Sequence, residues 1–328
     1  MNANTRERQQ HGPSFTALTM VRGESDIIWS SLLHHARLGF HRLIVVSYLE
    51  HGFLRQCIDR LREAFPDLEV DLVEIESRGH FGRRKAFYVN RALTMFVDPK
   101  VANYVYCFDA DEFLSLGRYT SVGDFLGAFL SQEASMPSGD IAADCFPMPW
   151  LNLIPKRRDF SPQDLSGQFL QDEYLCVDRR ENSRHKVLFR KRINTRVHMA
   201  YHQTFLGEKD IPVQPHPRAR DFVESTGACV YHVPLRSPSQ FRDRLEGPMR
   251  RVLAQAANEE SGAASEGVTR DFADQLFEAC IASQPRYTSL AEATNDFGEA
   301  ITDRKIRAIT RFIYRRREDV GPVLGAAR

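Results

Sequence analysis

The chain has almost no net charge: 44 Lys and Arg against 43 Asp and Glu leave +1 over 328 residues. So weak a field gives no reason to expect nucleic acid as a partner, since that binding rests on a basic face. Cysteine is sparse. Its six copies, at 57, 107, 145, 176, 229 and 280, form no C-x-x-C pair and no close His/Cys grouping, which argues against a structural zinc site and a dense disulfide framework. Cys57 and Cys107 sit in apolar runs, where a buried free thiol is expected. No stretch approaches the roughly 20 apolar residues that span a bilayer. The opening MNANTRERQQHGPS is polar, without the apolar centre of a secretory signal, so a cytoplasmic location is the default expectation. The Walker A spacing G-x-x-x-x-G-K-[ST] is also missing, which argues against a P-loop NTPase.

What is present is ordinary globular material. Hydrophobic residues make up 42% and charged residues 27%, enough for a real core, and the length suits one large α/β domain with an appendage or two modest domains. FTALTMV (15–21) reads as an apolar strand. ESDIIWSSLLHHARLGF carries Ile28, Leu32, Leu33 and Leu38 at helical spacing and is stopped by Gly39. RLIVVSY (42–48) is a buried strand, FLRQCIDRLREAF (53–65) an amphipathic helix closed by Pro66, LEVDLVEI (68–75) a third strand and RKAFYVNRALTMF (84–96) a third helix. ANYVYCFDADEFL (102–114) opens with a fourth strand. Strands alternating with helices of this length predict an α/β fold with a doubly wound, mostly parallel sheet, whose ligand site lies beyond the carboxyl ends of its strands.

From about 140 onward the alternation breaks down into a mixed half. DIAADCFPMPWLNLIP is apolar but interrupted by prolines, and HKVLFRK, HMAYHQTF and GACVYHV read as isolated strands. The stretch 237–257 is helical with a break at Gly247-Pro248, EESGAASEG is a linker, and 269–318 is helical. The expected organisation is a disordered 1–14, a main domain over 15–245 with halves at about 15–116 and 117–245, and a helical extension over 246–328.

The most informative segment is YVYCFDADEFLSL. An apolar strand runs straight into Asp109-Ala110-Asp111-Glu112 and returns to Phe113 and Leu114. Three carboxylates in four positions repel one another and are costly to desolvate together. A divalent cation removes both penalties, and Mg²⁺ or Mn²⁺ takes hard oxygens and completes its shell with phosphates. In extended chain, residues two apart point the same way, so Asp109 and Asp111 are expected to face one site while Ala110 stays out of it. The plainer alternative is a solvated acidic turn.

Here the chain resembles the family-2-like GT-A glycosyltransferases, in particular a branch carrying D-x-D-E-F. The resemblance spans about 15–245 and rests on ordered motifs: LTMVRGESDIIWSSLLHHARLGF at the start, Asn90-Arg91-Ala92-Leu93 before the acidic strand, FDADEFL, HKVLFRKR as a later K-x-x-x-R strand, and VYHVPLRSPSQF. It implies a GT-A fold, a nucleotide-sugar donor, Mn²⁺ or Mg²⁺, and monosaccharide transfer with inversion onto a glycan or lipid-linked acceptor. Two stretches depart from the pattern. The usual Asp-rich loop after the second strand reads Ser47-Tyr48-Leu49-Glu50-His51-Gly52, leaving Glu50 to hold the nucleotide. The Gly-containing stretch after the tryptophan is altered to Trp150-Leu151-Asn152-Leu153-Ile154-Pro155.

Further roles follow from position. Arg22 and Glu24 come directly after the first strand, where Arg suits phosphates and Glu a base or ribose; an exposed turn with an acid at a helix start is the alternative. Arg83, Arg84 and Lys85 lie with Gly79 and Gly82 at the opening of a helix, an arrangement that suits a pyrophosphate and equally a solvated basic turn. Asn90, Asp109 and Ala110 complete the expected donor contacts. His198, His202 and His232 compete for a third metal position, with His202 preferred on the family resemblance. Asp172 and Glu173 are candidates for the base that deprotonates the acceptor. Trp150 suits a sugar ring or a core. The basic helix KIRAITRFIYRRR (305–317) suits ordinary packing or a peripheral membrane contact. Two rivals stand beside a transferase: a sugar-phosphate nucleotidyltransferase, for which LTMVRGE lacks the Gly-rich basic signature, and a non-catalytic nucleotide-sugar-binding protein, suggested by the altered SYLEHG loop.

Overall fold

The computed structural model of the protein describes residues 13–48, 51–76, 81–101, 103–134, 144–155, 174–177, 185–198, 203–206 and 211–233. Residues 1–12 of the expected disordered start, Glu50, Asp172, Glu173, His202 and the helical 246–328 with its basic run lie outside these residues, whereas Ser14, expected to be disordered, belongs to a strand. The chain divides into two compact units, Met1–Trp150 with Arg184–Val230, and Leu151–Ser183 with Tyr231–Arg328.

The first unit begins with four strands and three helices in strict alternation: β1 (Ser14–Val21), α1 (Ile28–Arg37), β2 (Arg42–Tyr48), α2 (His51–Ala64), β3 (Glu69–Ile75), α3 (Phe81–Phe96) and β4 (Asn103–Phe108). The four strands are parallel in the order β3-β2-β1-β4, with Val21 level with Ser47 and Thr19 level with Phe108. The α/β expectation is met here, and so are the strand and helix positions that the apolar periodicity gave. Gly39, in the left-handed region at φ 79°, ends α1 where glycine is the residue that fits.

The two faces of the sheet can be told apart on β4. Val105 and Cys107 belong to the core cluster that includes Val89, Ala92, Leu93 and Val97 of α3 and its end, together with Leu18, Met20, Ile44 and Val46. Tyr106 and Phe108 point the other way, where both stack on His35 of α1, Phe108 with ring centroids 3.8 Å apart. The period-two alternation of a strand thus puts α3 on one face and α1 on the other, which is the doubly wound arrangement. All six residues of β4 are buried, as a central strand covered on both faces must be.

Beyond β4 the sheet turns mixed. Four elements are β5 (Glu112–Ser115), α4 (Val122–Ala134), β6 (Cys145–Pro155) and β7 (Tyr174–Val177). The rest are β8 (His185–Arg190), β9 (Thr195–Val197), β10 (Thr204–Leu206), β11 (Ile211–Pro212), α5 (Pro217–Thr226) and β12 (Cys229–His232). β8 runs antiparallel to β4, from Tyr104↔Arg190 to Tyr106↔Leu188, and β6 antiparallel to β8. β9, β10 and β11 form a small antiparallel sheet. In the second unit, Asn152–Pro155 of β6 pairs antiparallel with β7.

The proline-interrupted run proves to be one strand of 11 residues. Pro147 and Pro149 are two apart, so their missing N–H groups fall on the same edge and the intervening residues can still donate to the other neighbour. α4 was not evident from apolar spacing, yet its start carries a local signature: Ser121 Oγ accepts from the Asp124 backbone N–H at 3.0 Å and donates to the Asp124 carboxylate at 2.7 Å, a reciprocal cap. Among the described residues no helix is long and apolar enough to cross a membrane. Cys57 and Cys107 are buried free thiols, burial pushing them up to about 11 and about 12.

Candidate functional site

The strand order singles out one edge of the sheet. Going from β1 the chain winds outward through β2 and β3, then returns across β1 to lay down β4 on its other side. The connections therefore diverge between β1 and β4, and in open α/β sheets that divergence opens a crevice at the carboxyl ends of the two strands. The residues that follow those ends are Arg22-Gly23-Glu24 and Asp109-Ala110-Asp111-Glu112.

After β4 the backbone does not stay extended. The Glu112 N–H donates to the Asp109 carbonyl at 3.0 Å, closing a turn over the four residues, and the Asp109 N–H donates to Glu112 Oε2 at 2.9 Å. The period-two argument for Asp109 and Asp111 therefore fails: they share a turn, not a strand face. The turn sorts the three acids by depth. Asp109 keeps 31% of its side chain exposed, Asp111 is buried, and Glu112 is wholly buried and spends one oxygen holding the turn.

Two ammonium groups meet Asp109. Lys186 Nζ lies 2.9 Å from Asp109 Oδ2 and 2.9 Å from Glu112 Oε1, and Lys85 Nζ pairs with Asp109 Oδ1. They reach it on separate elements. Lys85 stands near the start of α3. Lys186 is the second residue of β8, and because β8 is antiparallel to β4 its beginning lies beside the end of β4. Only 1% of the Lys186 side chain is exposed, against 12% for Lys85.

This packing sets the protonation states. Burial alone would push the Asp109 carboxyl up, but Lys186 and Lys85 more than reverse it and hold it well below the usual range. Burial would lower Lys186, and the Asp109 and Glu112 carboxyls outweigh that and keep it protonated. Glu112 is pushed up to about 8, by burial first and by the charges of Asp109 and Asp111, against the pull of Lys186. Lys186 faces both Asp109 and Glu112, and the deeper of those two acids is the one that retains a proton most readily.

The neighbouring loop is built for the same edge. Gly23 takes φ 70°, a value suited to glycine, between Arg22 and Glu24. The Arg22 guanidinium lies over the Tyr48 ring, 5.7 Å from its centre, at the carboxyl end of β2. The Glu24 carbonyl accepts from the N–H groups of Ile27 and Ile28 and so opens α1. Asn90 has a structural task. Its Nδ2 donates to the carbonyls of Ala86 and Val197 at 2.7 and 3.0 Å, and its Oδ1 accepts from Val197 N–H at 2.8 Å, clamping α3 to β9. Ala110 is buried in the turn. His198 is exposed, with its ring 6.0 Å from Phe205, whereas His232 is buried and belongs to the second unit. Trp150 is buried in β6. Arg83 lies in α3, and its side chain is outside the described residues.

The oxygens of Asp109, Asp111 and Glu112 are the hard donors that Mg²⁺ or Mn²⁺ takes. Among the described residues, however, no group of three His, Cys, Asp or Glu stands ready as a metal shell, and both oxygens of Asp109 carry an ammonium. The donor chemistry fits such a cation on one condition, that an ammonium gives way. Lys186 was not foreseen as a site residue. It is the Lys of the K-x-x-x-R stretch, at the head of the apolar Val187-Leu188-Phe189, and a buried strand keeps such a charge only if something pairs with it.

No protein-family model matches the chain, and no curated protein sequence matches it. Solved structures are similar to it at low identity. One is a mannosyltransferase, PcManGT, from Pyrobaculum calidifontis in complex with GDP-Man and Mn²⁺, at 14% identity and TM-score 0.38 over 93% of this chain and 85% of that one. A second is S. aureus TarS 1-349, at 14% identity and TM-score 0.34 over 91% and 86%. HddC from Yersinia pseudotuberculosis follows at 12% identity and TM-score 0.25 over 66% and 88%. Superpositions this loose assign neither activity nor ligand to the chain.

Proposed function

We propose that this chain is a GT-A-type glycosyltransferase that moves a monosaccharide from a nucleoside-diphosphate sugar to a glycan or lipid-linked acceptor, with inversion. The observation that carries it is Asp109: a partly open carboxylate at the carboxyl end of a central parallel strand, at the point where the strand order diverges, with lysines drawn to it from α3 and β8. The ordered motifs from LTMVRGE to VYHVPLRSPSQF support the same reading. Asp109 and Asp111 would hold Mn²⁺ or Mg²⁺, which when bound supplies positive charge against the departing diphosphate.

The chain's own residues do the rest. Lys85 and Arg83, both in the first turns of α3, are assigned to the diphosphate, as cations near a helix start suit one. Arg22 adds a guanidinium at the end of β1 for phosphate or base, and Glu24 and Glu50 are assigned to ribose or base. Lys186 and Glu112 position Asp109 and do not touch the donor. In the transfer itself the acceptor oxygen forms a bond to the anomeric carbon as the bond to the diphosphate oxygen breaks. The acceptor proton passes to a carboxylate, for which Asp172 and Glu173 are the candidates, and the nucleoside diphosphate leaves with the bonding pair. His202 is the candidate for a third metal ligand.

Asp109→Ala and Asp111→Ala, assayed for metal-dependent hydrolysis of UDP- and GDP-sugars, are expected to lose about a hundredfold or more of the activity. Variants as active as the parent would refute the reading.

A further inference from the structure

The two ammoniums on Asp109 are not equivalent. Lys186 lies at 2.9 Å from both Asp109 and Glu112, and its side chain is 1% exposed. Moving it would leave the wholly buried Glu112 without that ammonium and take one of two from Asp109. Lys85 holds the other Asp109 oxygen from the opening of α3, and at 12% its side chain touches solvent. A lysine is a compact charge on a flexible four-carbon stem, so Lys85 can change partner without moving its helix. The oxygen that it covers belongs to the most accessible carboxylate of the cluster. An ammonium and a divalent cation cannot share that oxygen closely, since like charges a few ångströms apart repel strongly in a partly dry site.

We propose that Lys85 is an exchangeable counter-ion of Asp109. In the donor-free protein its ammonium occupies Oδ1. When a divalent cation and a nucleoside diphosphate bind, Lys85 yields that oxygen to the cation and pairs with the diphosphate. The inference rests on the donor site described under Proposed function and adds a regulation to it. Metal alone must evict that ammonium from Oδ1 without supplying a new anion for it. Nucleotide alone meets a lysine already committed to Asp109. Together each provides what the other displaces, so their binding is cooperative, and by linkage the coupling is the same from either side.

The test is Mn²⁺ binding, followed by the electron paramagnetic resonance of free Mn²⁺, with and without UDP or GDP, on the full chain and its Lys85→Met variant. Removing the competing ammonium is expected to tighten Mn²⁺ alone about tenfold, a change on the scale of one modest charge interaction. It is also expected to abolish most of the extra Mn²⁺ affinity that nucleotide confers on the parent. Lys85→Arg, which keeps the charge, should restore weak Mn²⁺ binding and the coupling. Lys85→Gln, which also removes the ammonium, takes the place of Lys85→Met if that variant fails to fold. Arg91→Met, which removes an exposed cation from the same helix, should change neither. Equal or weaker Mn²⁺ binding by Lys85→Met, or a coupling that survives it, would overturn the exchange while leaving the donor site standing. If neither the parent nor the variants bound Mn²⁺ or nucleotide, the functional reading itself would fall and the exchange with it.

Discussion

Lys186 and Lys85 carry the same charge to the same carboxylate, yet depth gives them different jobs. Replacing Lys186 by Met leaves the wholly buried Glu112 without its ammonium and Asp109 with one partner fewer. Breaking a buried pair from one side costs about 3–5 kcal/mol, and that loss is expected in urea unfolding of Lys186→Met. Lys85→Met should cost well under half as much, because the side chain it removes is partly solvated and Asp109 keeps Lys186. A similar loss in both would mean that the two lysines are equally structural. The sequence displayed the three acids plainly, but their sorting by depth follows from a turn that strand geometry did not foretell. The lysines were visible as letters, one in a basic turn and one in an apolar run, without any sign that they converge on Asp109. Lys186 arrives through the antiparallel β4–β8 pairing and Lys85 through α3, and no local pattern encodes their meeting.

At the level of the element, α1 shows how a helix can make stability depend on pH. His35 Nδ1 donates to the Ser31 carbonyl at 2.7 Å, and its ring stacks on Phe108 and Tyr106 in the core. Burial, and then the neighbouring His34, hold it well below its usual value. His34, whose Nε2 donates to the Leu114 carbonyl at 2.7 Å, is lowered to about 4, mainly by burial. Both rings are neutral in the fold, while in the unfolded chain they take up protons near 6.5. Between those values the unfolded state binds more protons, so stability is complete above about 6.5 and falls as the pH drops toward 4. His35→Phe keeps the stacking and removes one of the titrations. It is expected to flatten the acid-side fall in melting temperature, and an unchanged slope would contradict the assignment. The helix itself was readable from Ile28, Leu32 and the stop at Gly39. Its histidines were not, because a ring that spends one nitrogen on its own helix and lays its faces on aromatics carries no mark in one dimension. α4 was legible in principle through Ser121 and Asp124, a capping signature easily passed over without a strong apolar stripe behind it.

For the molecule as a whole, the first half was the legible part. Alternating apolar runs from 15 to 108 dictate a parallel, doubly wound sheet, and that sheet decides which chain ends can meet a ligand. The mixed half was harder to read because its strands pair with partners distant in sequence, and because Pro147 and Pro149 conceal a continuous strand. A ligand that binds only the native state raises its stability. Mn²⁺ together with the right nucleoside-diphosphate sugar is therefore expected to raise the melting temperature by more than the sum of the two separate shifts. Simple additivity across UDP- and GDP-sugars would weigh against a shared site at Asp109.

The antiparallel placement of β8 has a consequence for how the protein is made. Lys186 meets an acid 77 positions earlier in the chain. A ribosome that has just added Glu112 has already delivered Asp109 and Lys85 but not yet Lys186. Until β8 is added, Glu112 lacks the ammonium that accompanies its burial. The pairing of Asp109 and Glu112 with Lys186 is thus completed only by a polypeptide synthesised past its midpoint.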